Sequence, residues 1–227
     1  MPPFEILFMD NHLLVVKKPA GMLVQGDKSG DKTLLDHAKE YLKKRFNKPG
    51  NVYLGLVHRL DRPVSGVVVL ARTSKAASRL SKQIRDREVT KIYWALVQGK
   101  IDSEGKRVDY IGRKNTLSVI ANKADGKVAH LSFRRLQFRN QISLIEIDLG
   151  TGRHHQIRLQ LSALGFPILG DVAYGSTTPF SHKTIALHAY SITIHHPVKK
   201  HEMTFTAQPD TCWTFPQRKR GASIGDR

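Results

Sequence analysis

Short apolar runs separated by polar turns recur along most of this chain, and each run has the length of a β-strand. The alternation is clearest in 141–149, where Ile145 and Ile147 are separated by an acidic residue, as in an antiparallel strand buried on one face. A hairpin across Asn140 is predicted to join this strand to 127–139. Strands are predicted at 4–9, 13–17, 67–71, 91–99, 127–139, 141–149, 185–197 and 202–207.

Three segments instead repeat apolar residues every three or four positions, which predicts amphipathic helices. They are 33–46, 72–87 and a helix that contains Ile157 and ends at Gly165. Residues 100–127 show no clear period and predict only short strands and loops. Strands dominate and the order is irregular, which argues against a doubly wound parallel sheet. We therefore predict one α+β domain with a large, mostly antiparallel central sheet, flanking helices and a cleft across its middle.

The chain is strongly basic, and this charge gives information about its binding partner rather than its fold. It has 37 Lys and Arg against 19 Asp and Glu, a formal net charge of +18 in 227 residues. Such a balance indicates a polyanionic partner, with nucleic acid first and an anionic membrane second. No stretch approaches the roughly 20 apolar residues of a membrane span, and the N-terminus lacks the pattern of a secretory signal. Because Cys212 is the only cysteine, we expect no disulfide, no thiolate metal cluster and a cytoplasmic location.

One polar loop carries the candidate chemistry. Residues 58–66 (HRLDRPVSG) place the carboxylate of Asp61 among three basic side chains, directly before an apolar strand. Pro63 and the Ser-Gly pair predict a loop, and a polar loop held by a rigid strand is a common place for a reactive group. The alternative is a salt-bridged surface loop, which on composition alone is the commoner arrangement.

This segment resembles the catalytic motif of the RluA family of RNA pseudouridine synthases, whose usual form is HRLD(R/K)xTSG. The chain departs from that form at Val64, where the family usually has threonine. Further segments are similar to other motifs of the family and follow in the same order. They are 18–21 (KPAG), 91–99 (KIYWALVQG), 151–158 (TGRHHQIR), 165–175 (GFPILGDVAYG) and 187–189 (LHA).

The resemblance implies the pseudouridine synthase fold and the isomerisation of uridine in ribosomal or transfer RNA, without a cofactor or a metal. It implies Asp61 as the nucleophile, attacking C1′ or C6 of the uridine after base flipping, and Arg158 as its paired arginine. Tyr93 corresponds to the active-site tyrosine, expected to hold the base and to assist removal of the C5 proton. Arg62 corresponds to the residue thought to fill the space of the flipped base, and Leu187 is expected to pack against the base.

His58 completes the expected substrate-binding set, and two other classes of protein remain open. A non-catalytic nucleic-acid-binding domain is supported by the charge alone. A metal-dependent nuclease would use His58, Asp61 and His154. However, adjacent residues such as His154 and His155 point about 100° apart on a helix, unlike the spacing of a metal site, and no glutamate completes a motif. We therefore expect no metal.

The resemblance also sets the expected domain limits. Residues 1–216 are expected to form the catalytic domain, with no RNA-binding domain before it, and 217–227 to form a disordered basic tail. The turn-rich segment 165–175 is expected to be mainly architectural. A monomer is expected, and the sequence leaves the choice between ribosomal and transfer RNA open.

Overall fold

A computed structural model describes residues 2–181, 184–211 and 213 of the chain. The expected tail, 217–227, and Cys212 lie outside the described residues. In chain order the strands are β1 (Glu5–Met9), β2 (Leu13–Lys18), β3 (Gly55–Leu56), β4 (Ser65–Ala71), β5 (Thr90–Gln98), β6 (Glu104–Lys114), β7 (Leu117–Ala121), β8 (Lys127–Arg139), β9 (Ile142–Asp148), β10 (Leu187–His195) and β11 (Glu202–Thr206). The α-helices are α1 (Leu34–Arg45), α2 (Ser74–Asp86) and α3 (Gln156–Ala163).

These strands form one sheet of eleven within the described part of the chain. Its order is β1-β2-β4-β10-β5-β9-β8-β6-β7, with β11 paired to β10 and β3 paired to β4. Neighbouring strands are antiparallel except β4 and β10, which are parallel. The prediction of an α+β fold on a large, mostly antiparallel sheet is confirmed.

The two longer helices cover opposite faces of the sheet at β2 and β4. Alternate residues of β2 divide between two apolar clusters, because successive side chains of a strand point to opposite faces. Leu14 packs in the cluster that contains α1, and Val15 packs in the cluster that contains α2. Within the described residues, no helix has the length and apolar character needed to cross a bilayer.

The prediction for 100–127 was wrong in one respect, since β6 is an 11-residue strand rather than a short one. Four of its five exposed positions carry charged side chains, and pairing with β8 along eight residue pairs holds it in the sheet. The hairpin across Asn140 is confirmed. Asn140 and Gln141 form its turn with φ values of 52° and 60°, the positive values that a tight two-residue β-hairpin requires.

The parallel pair β4–β10 fixes the position of the polar loop that precedes β4. Gly66, with φ of +121°, lies so close to β10 that an added Cβ would meet the carbonyl oxygen of Ala189 at 2.3 Å. Beside it, Ser65 Oγ lies 2.7 Å from Nδ1 of His188, whose Nε2 lies 2.9 Å from the carbonyl oxygen of Ala207. Because that carbonyl can only accept, the neutral ring carries its proton on Nε2 and accepts from the serine. The loop and the start of β10 are thereby held side by side.

Candidate active site

Four of the six residues expected at the site line one cleft of about 190 Å³. Asp61 comes from the loop before β4, Tyr93 from β5, Arg158 from α3 and Leu187 from the first position of β10. The sheet brings these elements together, since β10 lies between β4 and β5. The carboxylate of Asp61, the guanidinium of Arg158 and the phenol of Tyr93 therefore share a solvent-reachable cavity.

Arg158 contacts Asp61, but its main partner is another carboxylate. Its Nη1 lies 3.5 Å from Oδ2 of Asp61. Its Nε and Nη2 each donate to one oxygen of Asp171 at 2.7 Å, a bidentate pair in which the Asp171 side chain is only 1% exposed. Burial works against the charged guanidinium, but Asp171, with smaller contributions from Asp61 and Tyr174, offsets this and raises the pKa of Arg158. The two hydrogen bonds to Asp171 fix the orientation of the guanidinium, and Nη1 remains available to contact Asp61.

Asp171 is a site residue that the sequence reasoning missed. It lies in the segment 165–175, which was expected to be mainly architectural. A signal was available, because an aspartate in a turn of apolar residues with no charged neighbour needs a distant cation if it is buried. The segment does have an architectural role, and it also anchors Arg158.

His155 is a second neighbour of Asp61. It precedes α3 in a left-handed conformation, with φ of 50°, and its Nε2 lies 3.5 Å from Oδ2 of Asp61. Its Nδ1 lies 2.9 Å from the hydroxyl of Tyr174, which accepts the backbone N–H of Ser118 at 2.9 Å. Burial lowers the pKa of His155 to about 4 although Asp61 opposes this, so the ring is neutral at pH 7.

The hydroxyl of Tyr174 determines which nitrogen of His155 carries the proton. Of the two acceptors near that hydroxyl, Nδ1 of His155 at 2.9 Å is closer than the Ser118 carbonyl at 3.4 Å. When the hydroxyl donates to Nδ1, the proton of the neutral ring sits on Nε2, facing Asp61. Asp61 Oδ2 therefore accepts a hydrogen bond from Nη1 of Arg158 at 3.5 Å, and Nε2 of His155 lies at the same distance.

Tyr93 forms a wall of the cleft and is almost fully buried. Burial raises the pKa of its hydroxyl, and the nearby charge of Asp61 raises it further. At neutral pH the phenol is therefore protonated, so it can donate a hydrogen bond but is a weak proton acceptor.

The other two expected substrate-binding residues, Arg62 and His58, do not line the cleft. The half-exposed Arg62 pairs with Asp31, Nη2 to Oδ2 at 2.7 Å, and donates from Nε to the carbonyl of Gly21 at 3.1 Å. His58 lies in a neighbouring pocket, where its Nε2 accepts the backbone N–H of Val69 at 2.9 Å.

A family model described as RNA pseudouridylate synthase matches residues 12–163. The chain belongs to this family. The matched region contains Asp61, Tyr93 and Arg158, whereas Asp171 and Leu187 follow its end.

The names of similar proteins confirm the resemblance of this pseudouridylate synthase family member to the RluA type. Ribosomal large subunit pseudouridine synthase D of Nitrosomonas europaea is 35% identical over 208 residues, which are 86% of this chain and 59% of the relative. The dual-specificity RNA pseudouridine synthase RluA of Haemophilus influenzae is 34% identical over 92% of this chain and 94% of the relative. The tRNA pseudouridine synthase C of Pasteurella multocida is 33% identical over 92% and 93%. The chain thus spans less than two thirds of the first relative and nearly all of the other two.

A solved structure agrees with the fold of the family. Human RNA pseudouridylate synthase domain containing 4 superposes with a TM-score of 0.77, at 24% identity, over 91% of this chain and 89% of that one.

Beneath the cleft of this family member lies Lys18, whose side chain is completely buried. Its ammonium donates to the carbonyl oxygens of Pro19 at 2.9 Å, Met22 at 2.7 Å and Arg62 at 3.3 Å. Burial lowers the pKa of Lys18 to about 7, while the charge of Asp61 opposes this. The lysine joins the turn after β2 to the loop that carries Asp61, and so supports the position of that carboxylate.

The described residues contain no group of three or more His, Cys, Asp or Glu side chains arranged to hold a metal ion. The set considered for a nuclease is also divided in space. Asp61 and His154 line the cleft, whereas His58 lines the neighbouring pocket. His154 instead stacks on His155, with ring centroids 3.7 Å apart.

Proposed function

We propose that this protein is an RNA pseudouridine synthase that isomerises one or more specific uridines in cytoplasmic ribosomal or transfer RNA. The observation that carries the proposal is the carboxylate of Asp61, set in a cleft with Arg158 and Tyr93. Family membership supports the reaction, and relatives named for ribosomal large subunit RNA and for tRNA support these two substrate classes.

Asp61 is the proposed nucleophile, attacking either C1′ or C6 of the uridine. The C1′–N1 bond breaks, the uracil turns, and a C1′–C5 bond forms; C5 loses a proton and N1 gains one, so the atoms balance. The carboxylate must be ionised for this role. Nη1 of Arg158 and Nε2 of His155 each lie 3.5 Å from Oδ2 of Asp61, so both nitrogens are close to the attacking carboxylate.

Base flipping is the proposed route into the cleft, because a stacked uridine cannot reach Asp61, and unstacking costs a few kcal/mol. Tyr93 and Leu187 are proposed to hold the uracil between them. Arg62 is proposed to enter the vacated stack, which requires it to leave Asp31. Both side chains of that ion pair are about half exposed, so we expect its loss to cost about 1 kcal/mol or less.

The test uses the full chain and RNA labelled with tritium at C5 of uridine. Release of tritium, together with mapping of pseudouridines in RNA from cells that lack the protein, would identify both the reaction and its target. We expect Asp61→Asn to bind the same RNA with nearly unchanged affinity and to release no tritium. Turnover by Asp61→Asn close to that of the unaltered protein would rule out the nucleophile.

The same assay separates the alternatives. A non-catalytic nucleic-acid-binding domain would release no tritium under any condition, and its RNA affinity would not depend on Asp61. A metal-dependent nuclease would cleave the RNA and would lose activity to a chelator.

A further inference from the structure

A second pocket adjoins the catalytic cleft and has a volume of about 380 Å³. Four residues line both cavities, so the two are separated only by a shared wall. These residues are Arg59, Tyr93, Leu149 and Gly152. A polymeric ligand with one unit bound in the cleft can therefore place the next unit in the second pocket.

The second pocket contains two nitrogen donors that have no partner within the described part of the chain. Lys91 Nζ makes no hydrogen bond or ion pair within 4.0 Å there. Burial lowers the pKa of Lys91, and the charge of Asp148 offsets only part of this. His58 accepts the N–H of Val69 at Nε2, so its neutral ring carries the proton on Nδ1, which is likewise unpaired. Burial and the charge of Lys91 lower the pKa of His58 to about 4, which keeps the ring neutral at pH 7.

The lining contains no carboxylate, and apart from the two donors and the shared Arg59 and Tyr93 its other residues are apolar. Leu56, Val57, Ile84 and Ile192 form the apolar part of the pocket. Two N–H donors, one of them positively charged, beside an apolar wall fit a ligand that has an anionic oxygen and a flat, weakly polar body. A nucleotide of single-stranded RNA has both parts.

A comparison within the molecule supports the choice of ligand. A larger pocket of about 570 Å³ is lined by three carboxylates as well as by two basic residues. The carboxylates, from Glu104, Glu146 and Asp148, would repel a phosphodiester. The pocket that contains Lys91 is therefore the better phosphate site of the two.

We propose that this second pocket binds the nucleotide next to the target uridine, with its phosphate on Lys91 and His58 and its body against the apolar wall. The inference rests on the proposed function, since it names the neighbour of the uridine held at Asp61. It assigns to His58 a substrate contact outside the catalytic cleft. Under this proposal Tyr93 and Arg59, which line both cavities, lie between the two bound nucleotides.

The test combines a change in the protein with a change in the RNA. The probe is a short RNA that carries the target uridine, in which each phosphodiester near that uridine is replaced in turn by a neutral methylphosphonate. At one position we expect the unaltered protein to lose about tenfold in kcat/KM, mainly through KM. Lys91→Met should lose about the same with the normal RNA, and the two changes together should cost no more than either alone.

Two variants serve as controls. Lys91→Arg keeps the charge and should retain the sensitivity to that one methylphosphonate. Lys44→Met removes an exposed charge of α1 and should also retain it. If the two losses multiply at every position, or if Lys91→Met binds as the unaltered protein does, the second pocket does not hold the phosphate.

Failure of the proposed function gives a different result. In that case the unaltered protein forms no pseudouridine from any RNA. The pocket is then tested by binding of the five-nucleotide RNA rU5 and its methylphosphonate versions to the same variants. Equal sensitivity of Lys91→Met and Lys44→Met to neutralised phosphates would overturn the inference on this probe as well.

Discussion

Asp171 controls the geometry of the candidate site at the scale of single residues. The side chain of Arg158 is 8% exposed, and it donates two hydrogen bonds to the carboxylate of Asp171, which is 1% exposed. Removing one partner of such a pair leaves the other charge buried and unpaired, which typically costs about 3–5 kcal/mol. The contact of Arg158 with Asp61 depends on this pair, because Nη1 can reach Asp61 only when the guanidinium keeps its orientation.

We therefore predict that Asp171→Asn lowers both stability and turnover. The free energy of unfolding, measured by urea denaturation, should fall by about 3–5 kcal/mol, and kcat should fall at a temperature where the variant is still folded. Asp109→Asn is the control, since Asp109 is a buried carboxylate paired with Arg107 and does not line the cleft. It should lose stability without a loss in kcat. Equal kcat for the two variants would remove Asp171 from the site.

Tyr93→Phe distinguishes the two roles that the tyrosine can have. The variant keeps the ring that forms the wall of the cleft and removes only the hydroxyl. Because burial raises the pKa of that hydroxyl, we expect it to act as a hydrogen-bond donor, so its loss should reduce kcat about tenfold. A loss of about 10²–10⁴-fold, measured as tritium release, would instead indicate proton transfer by the hydroxyl.

The residues of the site differ in how far the sequence could predict them. Asp61, Tyr93 and Arg158 lie in local motifs and do line the same cleft, although their roles stay predictions. The partners of these residues could not be predicted, because a buried pair such as Arg158 and Asp171 is decided by the tertiary fold. His155 was considered as a metal ligand, whereas its nitrogens face Asp61 and the Tyr174 hydroxyl.

At the scale of elements, the parallel pair β4–β10 is the most sensitive part of the fold. Gly66→Ala would place a Cβ 2.3 Å from the carbonyl oxygen of Ala189, and its φ of +121° is unsuited to any side chain. Neither backbone can move without disturbing a central strand. We predict a loss of about 2–4 kcal/mol in the free energy of unfolding, measured by urea denaturation. Gly26→Ala, where an added Cβ meets nothing within 4 Å, should change it by less than about 1 kcal/mol.

Elements were predictable where their own side chains determine the pattern. β9 alternates apolar and acidic residues, and α1 begins at a capping box formed by Thr33 and Asp36, so local signals locate both. β6 lacks such a signal, because charged residues occupy most of its exposed positions and only two of its eleven residues are buried. The parallel contact of β10 with β4, which brings the two halves of the sheet together, depends on residues more than 100 positions apart.

At the scale of the whole molecule, the net charge of +18 and the charges in the cleft should respond differently to salt. Exposed cations attract phosphates by interactions that salt screens, and each neutralised phosphate of a single strand adds about 0.7 to the slope of log affinity against log salt. Arg158 and Asp171 are shielded from solvent, so their interaction is screened much less. We predict that raising the salt from 50 to 200 mM weakens RNA binding by about 300-fold or more, if six or more phosphates are contacted. Over the same range kcat at saturating RNA should change less than about twofold.

Binding is measured with Asp61→Asn, which holds the RNA without converting it, and kcat with the unaltered protein. A kcat that falls in parallel with affinity would mean that the chemical step depends on the exposed charges, and the separation between a basic surface that binds RNA and a buried ion pair that supports Asp61 would be wrong.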